Sequence, residues 1–181
     1  MSEGIFTLLG VVIGWLLSFL SENWRDKKRE EQERKAVLTK ISKEVQAIYN
    51  ILSSILDRLT NPHLNEFVQV SHLVASLVPP GYSVFSTEAI RSAPPTIPAP
   101  LDENIKKFTF TLVLLESLGR EIMFYIPPPM VFQDPMMPEH FRQNLEQKAQ
   151  THAKKFIEKA KSLANEAKQL AESILEQLKQ L

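Results

Sequence analysis

The distribution of proline constrains the fold of this chain more than any other feature of its sequence. All twelve prolines lie between Pro62 and Pro138. Proline lacks an amide hydrogen and its ring clashes with the preceding helical turn, so it interrupts helices. The segments before Pro62 and after Pro138 contain no such break, and both ends of the chain are therefore free to form long helices.

A largely apolar run without charged residues covers residues 4–21. Eighteen residues of α-helix rise about 27 Å, which is close to the hydrocarbon thickness of a bilayer. A secretory signal peptide would have a basic segment before the run and a small-residue cleavage site after it, and both are missing. We therefore predict a transmembrane helix at 4–21, preceded by a short external tail at 1–3.

Basic residues follow this run but do not precede it. The tail carries only the acidic Glu3, whereas the chain after the run reads WRDKKREEQERK. Lysine and arginine favour the cytoplasmic side of a membrane, and an indole ring favours the headgroup region. The predicted topology is single-pass in the cell (inner) membrane, with the N-terminus outside and the C-terminal domain cytoplasmic. The predicted membrane-interface residues are Trp24, Arg25, Lys27, Lys28 and Arg29.

Small residues recur on one face of the predicted span, at spacings of three and four. Such residues let two helix backbones approach closely, and Gly10-x-x-x-Gly14 is a known association pattern. We predict helix association through this face, with chance occurrence of glycine as the alternative. The span has no ionisable residue, so a transport role is not expected. The face consists of Thr7, Gly10, Gly14, Ser18 and Ser21.

A heptad seam follows the charged stretch after the span. Its apolar residues alternate at spacings of three and four, as in a coiled coil, and neighbouring apolar residues widen the seam toward a bundle-facing stripe. The sequence therefore predicts a helical juxtamembrane stalk at 22–36 and a cytoplasmic bundle at 37–181, with the first helix ending at Asn61-Pro62. The seam consists of Leu38, Ile41, Val45, Ile48, Leu52, Ile55 and Leu59.

Apolar spacing predicts three further helices in the bundle. The first is short, at 63–78, and the second is long, from about 102 to 125. A strand is the alternative in the middle of the second, where β-branched and aromatic residues are frequent. The third runs from Pro138, placed in its first turn, to Leu181, and its alanine-rich seam allows close helix packing.

Proline-rich connectors are predicted at 79–100 and 127–138, between these helices. Within the first connector, FSTEAIRS is long enough for one or two helical turns, with Ser86 as the N-cap. The predicted fold class is all-α. A single N-terminal transmembrane helix continues into an elongated antiparallel helical bundle with long first and last helices.

Sequence signals for chemistry are missing. The chain has no cysteine, no glycine-rich phosphate loop and no catalytic motif, and its four histidines are not paired at helical spacing. Basic and acidic residues number 21 each, so the formal net charge is zero. The chain therefore has no overall positive charge that would attract nucleic acid, and a nucleic-acid partner is not expected. We predict no enzyme activity, no cofactor and no metal site.

A methionine-rich stretch, IMFYIPPPMVFQDPMM, is the predicted partner-docking segment. Prolines hold such a loop extended, and methionine adapts to varied surfaces. The alternative, which the small size of the bundle favours, is that this loop covers the core of its own bundle. The candidate docking residues are Phe124, Tyr125, Met130, Phe132, Met136 and Met137.

A second candidate site is a small anion pocket formed by basic residues near the first connector. The pocket would bind a small anionic ligand, and the favoured alternative is that these residues are ordinary surface charges. The candidates are Arg91, Lys106, Lys107 and Arg120.

Three functions fit these features. The leading hypothesis is a non-catalytic membrane-anchored helical scaffold, whose partners are the lipid bilayer and either further copies of itself or another membrane or cytoplasmic protein. The alternatives are a ligand-activated membrane effector, for example of bacterial antiviral signalling, and a small accessory subunit of a larger membrane complex.

Overall fold

The computed structural model describes the backbone of residues 2–77, 84–91, 97–125 and 136–181, and the side chains there except those of residues 2–17, Phe19 and Phe124. Within these ranges it has five α-helices and no strand, which confirms the all-helical prediction with long first and last helices. The helices are α1 (Ser2–Thr60), α2 (Glu66–Leu77), α3 (Glu88–Arg91), α4 (Ala99–Tyr125) and α5 (Glu139–Lys179).

Two asparagines build the turn between α1 and α2. The Asn61 side-chain oxygen accepts a hydrogen bond from the His63 amide at 2.9 Å, which is an Asx turn. The Asn65 side-chain oxygen accepts one from the Val68 amide at 2.9 Å and so acts as an N-cap. Helix α2 therefore begins at Glu66, later than the predicted start at residue 63.

Prolines precede both long helices of the C-terminal half. The Pro98 carbonyl accepts hydrogen bonds from the amides of Leu101 and Asp102, at 3.0 and 3.1 Å, so α4 begins at Ala99 rather than at residue 102. Pro138 is the N-cap residue of α5, with φ −55° and ψ 136°, and does not lie in its first turn. The strand alternative for the middle of α4 is wrong, because that stretch is helical.

The chain divides into two compact units, 1–40 and 41–181. In the first unit every described side chain from residue 20 to 36 is exposed. Ion pairs one turn apart join Arg29 to Glu33 at 3.0 Å and Lys35 to Glu31 at 2.7 Å. This part of α1 is thus a solvated helix that carries its own charge pairs.

No helix is long and apolar enough to cross a membrane among the residues whose side chains the structure describes. Of the predicted span at 4–21, that set contains Ser18, Leu20 and Ser21. The transmembrane prediction therefore lies mostly outside the described residues and stays a prediction.

In the second unit α4 and α5 are antiparallel. The Asn104 amide nitrogen, near the start of α4, lies 3.2 Å from the Ser173 hydroxyl, near the end of α5. Toward the end of α4, Glu121 forms an ion pair with Lys159 at 3.9 Å. The residue numbers in contact rise on one helix as they fall on the other.

Helix α1 is also antiparallel to α5 in this unit. The Tyr49 hydroxyl donates a hydrogen bond to Glu172 at 3.1 Å. Glu66, which follows the end of α1, pairs with Lys154 at 3.7 Å. The chain then returns alongside α1, because the Ile90 amide donates a hydrogen bond to Glu44, which is five residues before Tyr49 on α1. The topology is up-down-up-down, with α2 and the segment 84–91 together occupying the position of the second helix.

Apolar side chains fill the interior of this bundle. Phe108, Leu112 and Leu115 of α4 are at most 2% exposed. Among the described residues, the buried polar side chains are Gln69 and Thr111, and each donates a hydrogen bond to a backbone carbonyl. Alanines let α5 approach its neighbours closely. The buried alanines are Ala149, Ala153, Ala160, Ala164, Ala167 and Ala171.

Candidate interaction surface

The exposed side of α4 carries an apolar face that sequence reasoning missed. Phe110 is 64% exposed, Val113 49% and Leu114 39%. Residues at i, i+3 and i+4 lie on one side of a helix, so these three form one surface, opposite the core residues Phe108 and Leu112. We call Phe110, Val113 and Leu114 the α4 face.

The sequence does hold a signal for this face. The stretch FTFTLVLLESL is apolar on more than one side of the helix. A helix that is apolar all round is normally covered all round. Apolar spacing alone does not show which side of this helix meets the bundle, so Phe110, Val113 and Leu114 were not predicted as an exposed face.

Charged residues flank the α4 face at both ends. Lys107 pairs with Glu103 at 2.7 Å on the N-terminal side, and Arg120 lies 3.9 Å from Glu116 on the C-terminal side. The hydrogen bond and the charge of Lys107 lower the pKa of Glu103 below its ordinary value of 4.5. The α4 face is therefore an apolar surface with a polar rim, as in many protein interfaces.

The predicted anion-pocket residues do not meet at one point. Lys106 and Lys107 lie one turn beyond carboxylates with which they pair, at 2.6 and 2.7 Å. Arg120 is thirteen residues beyond Lys107 on the same helix, and this separation corresponds to about 20 Å along the helix axis. Arg91 is exposed at the end of α3. The structure thus spreads three of these four candidates along the rim of the α4 face.

The predicted docking segment is described only at its ends. Tyr125 and Met136 are 55% and 89% exposed, and Met137 is half-buried. The Tyr125 ring lies 5.8 Å from that of His152 and 6.0 Å from that of Phe156, so it packs partly on α5. Met130, Phe132 and the side chain of Phe124 lie outside the described residues.

One of the seven seam residues of α1 is less buried than the other six. Leu38 is half-buried. The other six are at most 3% exposed; they are Ile41, Val45, Ile48, Leu52, Ile55 and Leu59. Their spacing places them along one face of α1, in the interior of the second unit.

The predicted membrane residues are described in part. The side chains of Thr7, Gly10 and Gly14 lie outside the described residues. Ser18 and Ser21 are exposed, and the Ser21 hydroxyl donates to the Ser18 carbonyl at 2.9 Å. All five predicted interface residues, Trp24, Arg25, Lys27, Lys28 and Arg29, are exposed, with the Lys28 ammonium 5.3 Å from the Trp24 ring.

Glu44 of α1 forms a second feature that sequence reasoning missed. Its carboxylate accepts hydrogen bonds from the Ser86 hydroxyl at 2.9 Å, the Ala89 amide at 3.2 Å and the Ile90 amide at 2.9 Å. The sequence predicts Ser86 as the N-cap of α3. In the structure Glu44 accepts hydrogen bonds from the Ala89 and Ile90 amides of α3, and the Ser86 hydroxyl donates to Glu44. No local pattern shows this, because the partners lie more than 40 residues apart along the chain.

Metal-binding groups do not cluster in the described part of the chain. No group of three or more histidine, aspartate or glutamate side chains there could hold a metal ion. Comparison with protein-family models, curated proteins and solved structures found no match to this chain.

Proposed function

We propose that this chain is a non-catalytic, membrane-anchored helical scaffold, which self-associates or docks a partner protein at the cytoplasmic face of the membrane. The observation that carries the proposal is the α4 face, because three adjacent large apolar side chains on a well-packed bundle mark an interaction surface. The buried core supports it further, since none of its described side chains is ionisable.

The size of the α4 face indicates why an anchor matters. Fully burying a large apolar side chain contributes about 1.5–3 kcal/mol, and these three are already about half covered, so the face supplies roughly 2–5 kcal/mol. Rigid-body association costs about 4–15 kcal/mol at the 1 M standard state. The face therefore binds weakly by itself, and confinement of both partners to one membrane offsets part of that cost by raising their effective concentration.

The anchor in this proposal is the uncharged run at 4–21, with its basic flank on the cytoplasmic side. Its length suits a bilayer, and Gly10 and Gly14 supply a surface on which a second membrane helix can pack. Anchor and α4 face thus each favour association, and the anchor raises the effective concentration at which the α4 face binds.

Cysteine labelling of the full-length protein tests the anchor. The chain has no native cysteine, so Ser2→Cys and Glu158→Cys each introduce one unique thiol. In spheroplasts, a membrane-impermeant maleimide should label Ser2→Cys at once and Glu158→Cys only after lysis. Equal labelling of both before lysis, or recovery of the protein in an alkaline wash of the membranes, would contradict the proposal. Leu9→Arg/Leu16→Arg should abolish membrane retention, whereas the control Leu9→Ile/Leu16→Ile should not.

A further inference from the structure

Residues 84–91 form a short segment that bridges α1 and α4. Phe85 and Ile90 are buried, at 3% and 2% exposure, whereas Ser86, Glu88 and Arg91 are exposed. We call residues 84–91 the strap.

Two carboxylates from two different helices hold the strap. Glu44 of α1 accepts from the Ala89 and Ile90 amides. Glu116 of α4, whose side chain is only 12% exposed, accepts from the Phe85 amide at 3.4 Å. The Ser86 hydroxyl also donates to Glu44. The strap is thus held to α1 from Ser86 to Ile90, and to α4 at Phe85.

The strap has little local structure to hold it without these contacts. Helix α3 has four residues, one helical turn, and the first turn is the unfavourable step of helix formation. By contrast, α4 and α5 are long helices that share the apolar core. The strap buries two large apolar side chains, Phe85 and Ile90, which is fewer than either of these helices buries. Elements with fewer buried contacts open at lower free energy than the whole domain, and they open as cooperative units.

We propose that the strap opens as one cooperative unit while the rest of the bundle stays folded. Hydrogen bonds to Glu44 and Glu116 hold it in the closed conformation. Opening withdraws Phe85 and Ile90 together and uncovers apolar surface of the bundle beside α1 and α4. This inference is independent of the proposed membrane scaffold, because it concerns only the folded bundle.

Amide hydrogen exchange in the full-length protein, in detergent micelles, tests the proposal. Exchange is read residue by residue by mass spectrometry with electron-transfer fragmentation, at increasing low concentrations of urea. We expect the amides of Phe85, Ala89 and Ile90 to exchange faster than those of Leu112 and Ala164. Their rates should depend on urea less steeply than those of Leu112 and Ala164, because opening the strap exposes less surface than unfolding the whole bundle.

The substitutions Glu44→Gln and Glu116→Gln distinguish a unit from independent fraying. If the strap opens as one unit, each substitution accelerates exchange at all three strap amides by a common factor of about ten, and leaves Leu112 and Ala164 unchanged. Glu116→Gln is the decisive variant, because Glu44 also contacts Ser86 beside Phe85. If Glu116→Gln accelerates exchange only at Phe85, the strap is not a unit and the proposal is wrong.

A matched control and a stability measurement complete this test. Glu158→Gln removes an exposed carboxylate on α5 and should leave the strap amides unchanged. The urea midpoint of each variant is measured in parallel, so that a global loss of stability is separated from local opening. Strap amides that exchange at the same rate and with the same urea dependence as Leu112 would overturn the proposal.

Discussion

Ala164 gives the sharpest test of how α5 packs in the bundle. Its side chain is fully buried, and it belongs to a series of buried alanines on that helix. Ala164→Leu adds three carbon atoms at a fully buried position of this helix. Alanine and leucine have similar helix propensities, so the change tests packing rather than helix formation.

The expected cost follows from overpacking. Inserting methylene groups into a well-packed core destabilises by about 1–3 kcal/mol, because side chains leave their rotamers and the backbone shifts. For a domain of this size each kcal/mol lowers Tm by about 2–4 °C, so Ala164→Leu should lower Tm by roughly 2–12 °C. Ala164→Gly would act through helix propensity instead, at about 1 kcal/mol, and so is not a substitute for this test.

Thermal unfolding followed by far-ultraviolet circular dichroism measures the effect. Asn165→Leu is the matched control, because Asn165 is exposed and adjacent on the same helix; an exposed substitution should stay within about 0.5 kcal/mol. Equal Tm values for Ala164→Leu and Asn165→Leu would refute the close packing of α5.

Three smaller predictions follow from single contacts. Asn65→Ala removes the N-cap of α2 and should cost about 0.5–2 kcal/mol in urea unfolding; an unchanged midpoint would contradict the cap. Ser53 has a buried hydroxyl without a hydrogen-bond partner among the described residues, so Ser53→Ala should be neutral or stabilising, and a marked loss would show a missed partner. Lys107→Gln should raise the pKa of Glu103 back toward 4.5 in a carboxyl NMR titration. Because the pKa of Glu103 is lowered in the folded state, its pair with Lys107 stabilises the fold at pH values above the unfolded-state pKa. That stabilisation is lost as the pH falls through the folded-state pKa.

The long helices could be predicted from sequence because their signals are local. Asn61-Pro62 ends α1 and Pro138 precedes α5, as the proline distribution indicates. The heptad spacing from Ile41 to Leu59 marks the side of α1 that is buried. Proline breaks and apolar periodicity depend only on neighbouring residues, so no knowledge of the tertiary structure is needed to use them.

The surface features could not be predicted in the same way. Phe110 and Phe108 have the same chemistry and differ only in which side of α4 meets the bundle, and the sequence shows both sides as apolar. Glu44 resembles any surface carboxylate of α1 until the fold brings Ser86 to it. Such roles depend on contacts between distant segments, which periodicity does not encode.

In the proposed scaffold, the chain associates through its α4 face and through the small-residue face that contains Gly10 and Gly14, while anchored in a membrane. Light scattering of the full-length protein in detergent measures its mass directly. We predict a defined oligomer for the native chain, and a smaller species for both Phe110→Ser/Leu114→Ser and Gly10→Leu/Gly14→Leu. A native chain that is monomeric at all protein concentrations would contradict the proposed scaffold. So would an oligomer whose mass stays the same after one or both of these pairs of substitutions.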